Sequence, residues 1–177
     1  MMALRKDLRR AVMTRVFFDI DGVLAEFREG SSMEEMLGEG YFLDLAPQSE
    51  VIEALERLAA APGFEVHTLS SVLSESRYAL NEKKLWLCRH VRSVREGRVS
   101  CEFLPCGVSK RSAVPGGVRP GDILIDDYNV NLRDWQKSAI AVKLLNGINH
   151  RHGSWKGLTA GRDASEIVRV VMGAAGQ

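Results

Sequence analysis

The sequence predicts an α/β fold: a parallel β-sheet covered by helices on both faces. Three observations predict it. Short apolar runs rich in β-branched residues alternate with helix-patterned segments. Those runs are continuously apolar, as strands buried on both faces require. Two of them end in carboxylates, Asp19 with Asp21 and Asp126 with Asp127. Ligands of such sheets bind at the carboxyl ends of the strands.

Val16 to Ile20 is the first strand, ended by the Asp21-Gly22 turn. Glu26 to Gly40 is polar, with one weakly amphipathic piece around Met33, Met36 and Leu37. Ser49 is placed to cap a helix with the stripe Val51, Ile52, Leu55, Leu58 and Ala59, and Pro62-Gly63 stops it. Phe64 to Leu69 is the second strand. A helix follows through Leu80, Leu85, Trp86, Leu87 and Val91. Val99 to Leu104 is the third strand, closed by Pro105. The breaker-rich stretch from Pro115 to Gly121 precedes a fourth strand, Asp122 to Ile125. Ala139 to Leu145 is the fifth, closed by Asn146-Gly147. Asp163 caps a last helix, Ala164 to Met172.

The chain has 177 residues, enough to bury a real core in one domain. Lys plus Arg is 24 and Asp plus Glu is 23, so no global charge draws it to nucleic acid or a membrane surface. No apolar run approaches the ~20 residues of a membrane span. Three cysteines, Cys88, Cys101 and Cys106, contain no CxxC pair, which excludes a disulfide scaffold and an obvious zinc site. Met1 to Arg15 is basic and has no apolar signal-peptide core, so the expected location is the cytoplasm. Residues 1–13 are read as an N-terminal extension, or as residues ahead of the true start; 14–177 are expected to form one domain.

Four carboxylates converging on one sheet edge repel one another unless positive charge sits between them. A hard divalent cation with oxygen ligands answers this, and Mg²⁺ takes one or two carboxylates plus phosphate and water. A calcium loop fails on spacing, because its fifth and twelfth positions would be Val23 and Gly30. A plain solvated turn leaves the second acidic pair, also at the end of an apolar strand, without a reason.

Asp19-Ile20-Asp21-Gly22-Val23-Leu24 resembles motif I of the haloacid dehalogenase (HAD) superfamily, and Asp126-Asp127 resembles its motif IV. Motif II is a Ser or Thr after the second core strand. Ser70 stands there, with Thr68 less suited because it should lie inside the strand. The resemblance sharpens toward the 5'(3')-deoxyribonucleotidases, a kind of 5'-nucleotidase. Asp21 to Phe27 reads Asp-Gly-Val-Leu-Ala-x-Phe; Tyr41 to Pro47 resembles the segment that ends their cap; Asn81-Glu82-Lys83 with Trp86 resembles their Glu-Lys helix. In patches, the resemblance covers residues 16 to 132.

It implies a HAD-type Rossmannoid three-layer sandwich with a central parallel sheet and a cap. The cap is reduced to about residues 26–44, since Phe42 lies only 19 positions after Val23. It further implies a Mg²⁺-dependent phosphomonoesterase that converts a nucleoside monophosphate to nucleoside and phosphate. Asp19 would be the nucleophile and form an aspartyl-phosphate; Asp21 would protonate the leaving alcohol and then activate water. Mg²⁺ would be held by the Asp19 side chain, the Asp21 backbone carbonyl and a motif IV carboxylate, Asp127 directly with Asp126 in support, or the reverse. Ser70 would bond a phosphoryl oxygen, with Ser71 beside it. The second positive charge is Lys83, which follows Ser70 by 13 residues, or Lys110 after the third strand, and both can touch phosphate. Phe27 and Phe42 are candidates to pack on the base, or simply to pack in the core.

Two rival functions stay open at this point: a phosphatase for a larger substrate, such as a nucleic-acid end or phosphoprotein, and a non-catalytic phosphate-binding protein on the same scaffold. The basic stretch Lys83 to Arg98 reads as a solvated helix face, His150-x-His152 as a surface loop, Asn146-Gly147-Ile148-Asn149 as a turn first and a substrate loop second, and Tyr128, Asn131, Leu132 and Trp135 as residues that shape the helix and loop after Asp127.

Overall fold

The computed structural model describes residues 13–148 and 154–177, so nearly all of the expected N-terminal extension and His150-x-His152 lie outside the described residues. The strands are β1 (Thr14–Phe18), β2 (Phe64–Val72), β3 (Ser100–Pro105), β4 (Ile123–Asp126), β5 (Ile140–Leu144) and β6 (Leu158–Ala160). The helices are α1 (Met33–Leu37), α2 (Ser49–Ala60), α3 (Ala79–His90), α4 (Arg92–Arg95), α5 (Asn129–Trp135) and α6 (Ala164–Ala174), with a 3₁₀ turn at Lys110–Ala113.

The strands form one sheet in the order β3-β2-β1-β4-β5-β6, and every pairing is parallel. This is the doubly wound arrangement that the apolar strands predict. The strand order reverses between β1 and β4, and a crevice opens at the carboxyl side of such a switch point. Phe18 pairs with Ile125 there, so Asp19 and Asp126 leave adjacent strands side by side.

Alternation along β1 divides the core. Val16 and Phe18 face a large cluster with Leu55 and Leu58 of α2, Trp86 and Leu87 of α3, and Ile167 and Val171 of α6. Phe17 faces the other side, with Leu124, Leu132 and Trp135. That second layer is thinner. The β3–β4 connection contributes only the 3₁₀ turn to it, and α5 is short.

Several boundaries differ from expectation. The first strand ends at Phe18, because the Ile20 N–H bonds the Asp19 side chain and residues 20–25 close a tight loop. The second strand continues to Val72, so Ser70 and Ser71 lie inside it, as Thr68 does. Gln48, not Ser49, holds the cap position of α2. Asp163 caps α6 as expected, accepting from the Glu166 N–H. Ser32 and Glu35 form a reciprocal capping box that starts α1. In α3, Leu80 and Leu85 face solvent, while Ala79, Glu82, Lys83, Trp86 and Leu87 are buried. Among the described residues no helix is long and apolar enough to cross a membrane.

Candidate active site

The chain folds sharply just past β1. The Asp19 N–H still bonds the Ile125 carbonyl at 3.0 Å, and a reverse loop then runs from Ile20 to Ala25. Gly22 sits in it at φ +78°, where an L side chain is strained. A Cβ at Gly22 would lie 2.5 Å from Asp127 Oδ2. Glycine therefore lets the loop after β1 approach the second acidic pair. Asn146, at the end of β5, ties the two together: its Nδ2 donates to the Gly22 carbonyl (3.0 Å) and to Asp127 Oδ2 (2.6 Å). Gln48 Nε2 donates to the same Gly22 carbonyl at 3.1 Å.

Asp19, Asp126 and Asp127 are all buried, and each offers a carboxylate oxygen within 4.8 Å of the others. The Lys110 Nζ lies between two of them, 2.9 Å from Asp19 Oδ1 and 2.7 Å from Asp126 Oδ2. Burial works against the Lys110 ammonium, but Asp126 and Asp19 overcome it and hold its pKa above the ordinary lysine value. Asp126 is also held by the Tyr128 N–H on Oδ1 (2.8 Å) and by Asn131 Nδ2 on Oδ2 (2.9 Å). Burial raises its pKa, against the pull of Lys110. The buried Lys143 of β5 donates to the Asp127 carbonyl at 2.8 Å and to Asn129 Oδ1 at 2.6 Å, fixing the acidic loop from beneath.

Asp21 meets the other lysine. Lys83, 2% exposed, makes a close ion pair with Asp21 Oδ2 and donates to the Ser71 carbonyl at 2.6 Å and to Ser70 Oγ at 3.3 Å. Burial raises the Asp21 carboxyl above its ordinary pKa; Lys83 opposes this and Asp19 adds to it. Its side chain keeps 23% exposure, toward the cleft that it lines. Lys83 is thus no part of a solvated face. The Lys83 Nζ stands 4.6 Å from the centre of the Phe42 ring. Phe42 is buried in the core, so this candidate base platform does not line the cleft.

Next to Lys83, Glu82 accepts from the N–H groups of Gly40 (2.5 Å) and Phe42 (3.1 Å), and Trp86 Nε1 donates to the Leu45 carbonyl at 2.7 Å. One face of α3 therefore holds both the returning end of the cap segment and the lysine paired with Asp21.

A cleft of about 1000 Å³ opens at this edge, lined by Asp19, Asp21, Phe27, Ser71, Lys110 and Asp127 among others. Ser70 is fully buried behind Ser71, and neither Ser70 nor Lys83 lines the cleft. The structure thus brings Asp19, Asp21, Lys83, Lys110, Asp126 and Asp127 into one cluster and leaves Phe42 out. Sequence reasoning missed Lys143, and it did not foresee the bonds of Asn146 to Asp127 or of Asn131 to Asp126. Asn146 carried a usable signal, since it follows an apolar strand at the same sheet edge as Asp126-Asp127.

The donor set suits a hard cation. Four carboxylates face three ammonium groups, and the three carboxylates grouped within reach of one ion are all oxygen donors. Among the described residues no cysteine or histidine joins that group.

No protein-family model matches this chain, and no curated protein matches it in sequence. Solved structures match it in fold. D,D-heptose 1,7-bisphosphate phosphatase from B. bronchiseptica, complexed with magnesium and phosphate, superposes with a TM-score of 0.63 at 15% identity, covering 91% of this chain and 99% of its own. A haloacid dehalogenase-like hydrolase from Streptococcus pneumoniae gives 0.61 at 9% identity, covering 89% and 98%. The cobalt-bound deoxy-D-mannose-octulosonate 8-phosphate phosphatase from Haemophilus influenzae gives 0.58 at 17% identity, covering 94% and 88%. At these identities the likeness is one of architecture: the chain has the Rossmann-like α/β fold that haloacid dehalogenase phosphatases share.

Proposed function

We propose that this chain is a Mg²⁺-dependent phosphomonoesterase of the haloacid dehalogenase type, working through an aspartyl-phosphate on Asp19, with nucleoside monophosphates as substrates and residues 14–177 as its single domain. One observation carries the chemistry. Asp19, held by Lys110, shares a buried cluster with Asp126 and Asp127 and lines the same cleft as Asp21. The nucleotide preference rests on the resemblance of the Asp21–Phe27 and Glu82–Trp86 segments to the deoxyribonucleotidases.

Asp19 and Asp127, with the Asp21 carbonyl, would hold the ion. Asp126 supports them, because both its oxygens already accept bonds from Tyr128, Asn131 and Lys110. When bound, Mg²⁺ supplies positive charge that lets a carboxylate approach an anionic phosphoryl group. In the first step an Asp19 carboxylate oxygen attacks phosphorus and the bond to the leaving oxygen breaks. Asp21 gives that oxygen its proton. Burial pushes its pKa upward, the direction this role needs, while the Lys83 ion pair pulls the other way. In the second step the Asp21 carboxylate takes a proton from water, the water oxygen attacks phosphorus, and the bond to Asp19 breaks. Lys110 orients the nucleophile, Lys83 orients Asp21, and both ammonium groups favour phosphate. Ser71 lines the cleft where a phosphoryl oxygen can reach it, with Ser70 behind.

The test is a panel of nucleoside monophosphates and sugar phosphates, with and without Mg²⁺. The expected result is Mg²⁺-dependent phosphate release, fastest on the nucleotides. Preference for a sugar phosphate would refute the substrate assignment. Metal binding without turnover on any member would refute the enzymatic reading. An open cleft of about 1000 Å³, with no residue of α1 in its lining, also suits a larger substrate, so a 3'-phosphorylated oligonucleotide belongs in the panel.

A further inference from the structure

The cleft does not end at the acidic cluster. It continues along the start of α5 and the loop after β3, where exposed apolar side chains share the wall with Ser109, Asn131, Arg133, Asp134 and Lys137. Val108, Tyr128 and Val130 all line it, and they are 43%, 52% and 60% exposed. Half-buried Phe27 and Ile148 line the same space. Apolar side chains left in water beside reactive groups mark a surface that a ligand covers.

The shelf is also rigidly held. Tyr128 follows Asp127 directly, its N–H bonds Asp126 Oδ1 at 2.8 Å, and its carbonyl accepts from the Leu132 N–H at 3.2 Å. Its ring is therefore delivered next to the acidic pair by the same turn that places the carboxylates. The loop carrying Val108 is pinned to α5, where Ser109 Oγ donates to Asp134 Oδ2 at 2.5 Å. Of the two phenylalanines at residues 26–44, Phe42 is buried and only half-buried Phe27 reaches the cleft.

We infer that Tyr128 and Val130, with Val108, form the subsite for an aromatic ring carried by the substrate's leaving group. This rests on the phosphomonoesterase reading, because the occupant is defined by a phosphate at Asp19. It locates specificity on the α5 side of the cleft. A flat ring suits this subsite because half-exposed Tyr128, with Val108 and Val130, offers it apolar surface, while the polar side chains lining the same cleft are already engaged: Ser109 and Lys137 with Asp134, Asn131 with Asp126, and Arg133 with the Ser154 carbonyl.

Isothermal titration of the Asp19→Asn chain with Mg²⁺ tests this by binding, without turnover, using thymidine monophosphate and inorganic phosphate as probes. Tyr128→Ala is expected to weaken the nucleotide at least about fivefold and to change phosphate affinity less than about twofold. Val130→Ser should act in the same direction, and Tyr128→Phe should restore nucleotide affinity. Equal weakening of both probes, or no change in either, would overturn the subsite. A change in oligomeric state on Tyr128→Ala, with nucleotide affinity intact, would overturn it in favour of a second copy on the shelf. A chain that binds neither probe before the shelf is altered would bring down the phosphomonoesterase reading and the subsite with it.

Discussion

Replacing Gly22 with alanine should loosen the ion site without touching a charged group. Gly22 has φ +78°, and a Cβ there would stand 2.5 Å from Asp127 Oδ2, 2.9 Å from Asp127 Cγ and 3.0 Å from Asn146 Nδ2. An L residue in this conformation costs about 1–2 kcal/mol. Reaching an ordinary contact distance requires Asp127 to retreat by about 1 Å. The buried Asn146–Asp127 bond then opens, at a further cost of roughly 1 kcal/mol. Together these come to about 2–3 kcal/mol, or a fall in melting temperature of roughly 5–10 °C for a chain of this size. The displaced carboxylate should also lower metal affinity about 10- to 100-fold. Thermal unfolding in chelator and in Mg²⁺ reads both effects: the variant should melt lower in chelator and gain less from Mg²⁺. A variant that melts within about 2 °C of the parent, with the same gain from Mg²⁺, would refute the close-packed geometry.

Asp19→Asn should lower turnover at least about a thousandfold with the far-UV circular dichroism unchanged; a variant keeping most of its activity would remove Asp19 as nucleophile. Lys110→Met should cost about 3–5 kcal/mol in chelator, since it leaves Asp19 and Asp126 buried without their cation, and chemical denaturation would show Mg²⁺ restoring part of the loss. His67 is stacked on Phe17 at 4.7 Å, and burial lowers its pKa below the ordinary 6.5. The unfolded chain therefore takes up a proton first, and stability falls as pH drops below 6.5 toward the lower folded value. Melting curves at several pH values should show that fall blunted in His67→Gln.

The strand-end logic made most of the sheet and the acidic cluster legible, because a continuous apolar run followed by carboxylates can be read locally. What escaped depended on distant partners. β6 is three residues long with Leu158 exposed, so it makes no apolar run. Of the stripe expected in α3, Trp86, Leu87 and Val91 are buried, but Leu80 and Leu85 face solvent, and the buried face also carries Glu82 and Lys83, whose partners are Gly40 and Phe42 for the first and Asp21 for the second. Lys83 and Lys110 could not be ranked from spacing, and the fold pairs each with a different aspartate. Asn146 does make the turn read at that position, bonding the Ile148 N–H through Oδ1. Its amide also crosses to Gly22, a residue 124 positions away.

The segment between Glu26 and Ala46 is fastened at both of its ends. Near Glu26 it is tied to Ala46 through the backbone, and at Gly40 and Phe42 it is gripped by Glu82. Between those moorings, residues 28–39 bury no side chain completely. A longer insertion could therefore be spliced into that span, by evolution or by design, while the acidic cluster keeps its geometry.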